Sequence, residues 1–173
     1  MNRIKVFGCL AAVLLMLLTC AWAEDASSRA VLLVQLPEDA QMIENVEFEN
    51  GDFIQTYQLS GGAHVQLLRY ASFDMTLDEL VQSDWPGAEH VVPLDLTAVG
   101  GNNATGVRLT YAEAEQEPVS VTLVLVTVGQ DTLVYQAVYP TSLGEEQIES
   151  AVKKMLDTMD VLGGTGNAMM EVG

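Results

Sequence analysis

Ten residues, Val119–Val128, carry valine or leucine on both parities: Val121, Leu123 and Leu125 on one, Val124, Val126 and Val128 on the other. Successive side chains of a strand point to opposite faces. A strand that is apolar on both faces has to be covered on both. The chain therefore needs a central sheet with a layer on each side. Gly129-Gln130-Asp131 turns the chain, and Thr132–Tyr139 returns as the next strand until Pro140 stops it.

The remaining patterns supply more strands and two helices. Val31–Leu36 is an apolar, β-branched run ended by Pro37. Met42–Glu49, Asp52–Leu59 and Ala63–Tyr70 form a meander. Its first turn is Asn50-Gly51, a pair that favours a two-residue hairpin loop; its second is Ser60-Gly61-Gly62. Glu89–Leu96 is a strand that Pro93 either breaks or sets at an edge. Gly100-Gly101-Asn102-Asn103 is a turn, and Ala104–Ala112 alternates as a strand. Thr76 and Glu79 predict a capping box ahead of Leu77, Leu80 and Val81, with Pro86-Gly87 ending that helix. Ser142 and Glu145 predict a second capping box. Ile148, Val152, Met155 and Met159 then form one helical stripe, which runs until Gly163-Gly164. No repeat is visible. Antiparallel strands with two separated helices predict an α+β domain, an antiparallel sheet flanked by helices, over residues 31–162.

The ends of the chain suggest export. Arg3 and Lys5 precede an apolar stretch, Val6–Leu18, and Ala21-Trp22-Ala23 is a small-x-small cleavage site, so residues 1–23 have the parts of a signal peptide cut after Ala23. Residues 24–30 are expected to be a flexible leader and residues 163–173 a flexible tail. Cys9 and Cys20 are the only cysteines, and both lie in the signal, so the mature chain has no disulfide and no thiolate. An exported protein without disulfides fits a bacterial route, to the envelope or the extracellular space. Leu17-Leu18-Thr19-Cys20 resembles a lipoprotein box and gives an alternative, in which a lipidated Cys20 anchors the chain. No later apolar run is long enough for a membrane span.

Charge excludes several functions. The 173 residues hold 7 basic and 24 acidic side chains, a net of −17, and loss of Arg3 and Lys5 with the signal makes it −19. Such a surface repels nucleic-acid phosphates and anionic lipid. Gly61-Gly62 and Gly100-Gly101 lack the lysine of a phosphate loop, and nothing calls for a cofactor. The two histidines, His64 and His90, are not clustered with other ligands, and there is no Gly-x-Ser-x-Gly elbow. Glu113, Glu115 and Glu117 share one parity and form the best candidate cation site, against the plainer reading of a solvated hairpin tip. Trp85, beside Pro86-Gly87, is either a partner anchor or packing for the helix end.

The order of these segments resembles the PsbP-like superfamily, which includes DcrB-like bacterial envelope proteins. The resemblance is carried by Leu36-Pro37-Glu38-Asp39-Ala40, Leu67-Leu68-Arg69-Tyr70, Leu77-Asp78-Glu79-Leu80, Val99 to Ala104, Tyr139-Pro140 and Met155-Leu156-Asp157-Thr158-Met159. It spans about Val31 to Leu162. It implies an α-β-α sandwich and an accessory, assembly or binding role without catalysis, and it transfers no functional residue. The expected function is an exported, non-catalytic binding or accessory protein that meets a protein partner through the sheet or through loops at Trp85, Asn102 and Asn103. The alternative is a small-ligand or divalent-cation binder using the acidic hairpins; a hydrolase is a distant third.

Overall fold

The computed structural model describes residues 29–71, 76–113 and 116–163. The expected signal with Cys20 and Ala23, residues 24–28 of the leader, Glu115 and the tail from residue 164 lie outside them. Among the described residues no helix is long and apolar enough to cross a membrane.

The doubly apolar strand, β8 (Val119–Val128), does lie between two neighbours. One is β9 (Asp131–Pro140) and the other β7 (Asn102–Tyr111). Beyond β9 come β4 (His64–Ala71), β3 (Phe53–Gln58) and the edge strand β2 (Gln41–Glu47); beyond β7 comes the other edge, β5 (Glu89–Pro93). Short β6 (Ala98–Val99) also pairs with β7, completing an eight-stranded antiparallel sheet. The β4–β9 pairing joins the two halves of the chain.

Helix α1 (Leu77–Asp84) places Leu80 and Val81 against Val107, Leu109, Val121, Leu123, Leu125, Val134 and Val138. Helix α2 (Glu145–Leu156) places Ile148, Val152 and Met155 on the opposite face, against Val124, Val126, Leu133, Tyr135 and Ala137. Alternation along β8 thus sends each parity into a different core. The second core is closed by a ribbon of β1 (Val31–Leu33) and β10 (Asp160–Leu162), through Leu32 and Val161.

Thr76 and Glu79 make the expected capping box on α1. The second expected box does not form. Ser142 sits in a 3-10 turn (Thr141–Leu143), and Gly144, at φ +82°, takes the N-cap of α2 without a side-chain bond. The α2 stripe also ends early. The helix stops at Leu156, and Met159 packs from the following turn. Asp160–Leu162 is extended because β1 pairs with it, with Leu32 opposite Val161. β1 is shorter than the expected Val31–Leu36 for the same reason: pairing lasts only three residues.

The β2–β3 turn has three loop residues rather than two. Phe48 receives the Gly51 N–H and donates its own N–H to Asp52, so Gly51 alone adopts positive φ. Asn50 holds the turn by accepting from the Asp52 N–H at 3.1 Å and donating to its carboxylate at 2.8 Å.

Candidate functional site

Polar residues on the α2 face of β7 and β8 meet the first turns of α2 at a cleft of about 420 Å³, lined by His90, Arg108, Thr110, Ser120, Thr141 and Glu145. That volume lies within the range of small-molecule sites. The sheet sets the spacing. Arg108 pairs in register with Thr122, and Thr110 with Ser120, so two neighbouring rungs present a cation and three hydroxyls to one side. His90 enters because β5 breaks register between Glu89 and Val92; its φ of +51° is the only positive value outside glycine among the described residues.

Arg108 is the half-buried charge of the cleft. Its Nη1 donates to Glu149 of α2 at 2.8 Å. Its Nη2 stands 3.8 Å from Glu145, beyond hydrogen-bond length, and Glu145 is 83% exposed. The guanidinium is therefore held in place by one carboxylate and keeps donors free beside a second. Next to it, Thr122 is fully buried, and its Oγ1 has no hydrogen-bond partner. It lies on the same face as Ser120, one rung deeper.

The residues expected to act elsewhere fall as follows. Trp85 packs edge-to-face on Tyr111, with centroids 5.2 Å apart at 75°, in the α1 core. Its Nε1 is buried without a partner. Asn102 donates to the Gly100 carbonyl at 3.0 Å and closes the β6–β7 turn, whereas exposed Asn103 borders a shallow groove with Thr76 and Asp78. Trp85 lies against one end of β7, and the asparagines lie at the other, roughly 25–30 Å away at the rise of a strand. They do not form one surface.

Glu113 accepts from Gln116 at 2.6 Å, and Glu117 accepts from the Ser142 N–H at 3.0 Å, tying the hairpin tip to the turn before α2. Among the described residues no three potential metal ligands are grouped. Neither histidine shares a hydrogen bond with a hydroxyl or carboxylate among the described residues. No family model and no curated protein matches this chain.

The cleft was hidden from sequence reading for a physical reason. Arg108, Thr110, Ser120 and Thr122 occupy the polar parity of alternating strands, which usually faces solvent; here α2 stands over it.

Four groups elsewhere on the fold titrate with one sign. Hydrogen bonds from the Ser142 hydroxyl and N–H hold the Glu117 carboxyl below its ordinary value. The Thr76 N–H and hydroxyl do the same for Glu79, and Ser60 does so for Asp39. Burial lowers His64 below its ordinary 6.5. In every case the folded protein disfavours the proton, so the stabilisation is complete above the ordinary value and is lost as pH falls through the lowered one. The melting temperature is expected to decline first below about pH 6.5 through His64 and again through the carboxylate range. His64→Gln should erase the upper step and leave the lower one in a series of thermal melts. An unchanged upper step would assign it elsewhere.

Proposed function

We propose that this chain is an exported, non-catalytic binding protein of the bacterial envelope or extracellular space, and that its ligand seat is the Arg108 cleft. The carrying observation is the guanidinium itself: fixed by Glu149, it offers Nη2 toward a cleft bordered by hydroxyls and by the loosely engaged Glu145. The free donors suit a carboxylate, with the bidentate fork geometry that lysine lacks. Glu145, 3.8 Å away, suits an ammonium. A small zwitterion satisfies both, so the reading names a free amino acid or a short peptide.

The PsbP-like resemblance belongs to this proposal. Its implied sandwich is supported by helices that pack on opposite faces of the sheet.

Titration calorimetry of the mature chain against a panel of free amino acids and dipeptides tests the reading. At least one should bind saturably, and Arg108→Ala should weaken it tenfold or more, the scale of one charge-assisted hydrogen bond. Equal binding by the variant, or no binding across the panel, would remove the cleft from consideration.

A further inference from the structure

The edge strand β2 is unlike the other edge. β5 ends on Pro93, carries the His90 irregularity and has only three residues in register with β7. Proline and bulges are the usual ways to blunt an edge. β2 is seven residues long, contains no proline, and is exposed at every position. It pairs with β3 on one side only. Phe48 donates its N–H to Asp52, across the hairpin, so strand alternation points Val46 and Glu44 inward and leaves the N–H and C=O of Asn45 and Glu47 facing outward. Met42, Ile43, Val46 and Phe48 are exposed along the same segment, Ile43 at 61%.

Charge selects the occupant. Glu47 lies on the strand and Glu49 just beyond it on the same face, whereas Glu44, on the other face, accepts from Thr56 at 2.8 Å; of the two arginines near the turn, Arg29 is bonded to Glu47 and Arg69 to Asp131 and Gly51. A second copy of this chain would bring a second acidic edge beside the first, and like charge opposes that approach. An extended segment that alternates basic and apolar residues meets both features: its backbone pairs with the outward groups, its cations take the face of Glu47 and Glu49, and its apolar residues take the face of Val46 and Phe48. We propose that β2 is a strand-addition site for an extended basic segment of a partner protein. This surface is separate from the Arg108 cleft, which lies beside the opposite edge of the sheet, and it does not depend on that reading.

The probe is a blocked heptapeptide of alternating lysine and valine, set against the same peptide with glutamate for lysine. Two measurements on the full mature chain are made: fluorescence anisotropy of the peptide, and hydrogen exchange at the Asn45 and Glu47 amides. The lysine peptide should bind, weaken with salt, and slow exchange at both amides, while the glutamate peptide should not bind. Asn45→Pro removes an outward donor and leaves the backbone bonds to β3 in place, losing on that side only the exposed Gln55 side-chain bond to Asn45; it should cut affinity at least tenfold. Its circular dichroism and its urea unfolding curve serve as checks of the fold. Glu47→Lys should weaken binding severalfold. The proposal is overturned if the two outward amides are already protected in the free chain, if both peptides bind alike, or if Asn45→Pro binds as well as the parent. Concentration-dependent dimerisation abolished by Asn45→Pro would overturn it in favour of a second copy as the occupant.

Discussion

Replacing Arg69 with alanine is expected to remove about 3–5 kcal/mol of unfolding free energy, the scale of a broken buried ion pair. The guanidinium sits on β4, and its side chain is 8% exposed. It donates to Asp131 through Nη2 at 2.8 Å and Nε at 3.1 Å, and through Nη1 to the Gly51 carbonyl. One side chain thus ties the β2–β3 turn to the start of β9. Its loss strands the Asp131 carboxylate, which is 18% exposed, and the Gly51 carbonyl together. Arg69→Lys keeps the charge but not the fork, so it should fall between alanine and the parent. Removing Asp131 in the alanine background should recover part of the loss, because the unpaired charge goes with it. Urea titration of the four proteins measures this. A loss below about 1 kcal/mol for Arg69→Ala would class the pair with exposed bridges.

Gly100→Ala should be costly where Gly101→Ala is mild. Both residues have positive φ, +55° and +77°, and a side chain there costs about 1–2 kcal/mol in either case. Only Gly100 is crowded. A Cβ on it would stand 2.6 Å from the Asp160 carboxylate and 2.7 Å from the Val161 backbone nitrogen, whereas Gly101 has nothing within 4 Å. Overpacking adds about 1–3 kcal/mol. The expected losses are therefore about 2–5 kcal/mol against about 1–2 kcal/mol. Equal losses in paired denaturation curves would mean that β10 does not seat against the β6–β7 turn as described.

These two positions show what the sequence could and could not disclose. The two-sided apolar pattern of β8 was local and strong, and it demanded the layers that α1 and α2 supply. The Thr76–Glu79 box was local as well, and it formed. The Ser142–Glu145 spacing was equally good on paper. It failed because Gly144, with its positive φ, takes the N-cap and α2 starts at Glu145, leaving the Ser142 N–H to bond Glu117. β10 has three residues and a partner at the far end of the chain, so no short-range pattern marks it. Arg69 and Arg108 look alike in sequence, each on an alternating strand. Tertiary packing alone makes one a buried tie between turns and the other the open cation of a cleft.

The β1–β10 ribbon also sets how the folded region responds to force. Val31 lies opposite Leu162, so the chain enters and leaves the fold at the same end of one short antiparallel pair. Tension applied between the two ends peels that pair rung by rung instead of shearing it. The ribbon is therefore the first part to yield under load. Its release opens the core that Leu32 and Val161 close, while the eight-stranded sheet stays zipped.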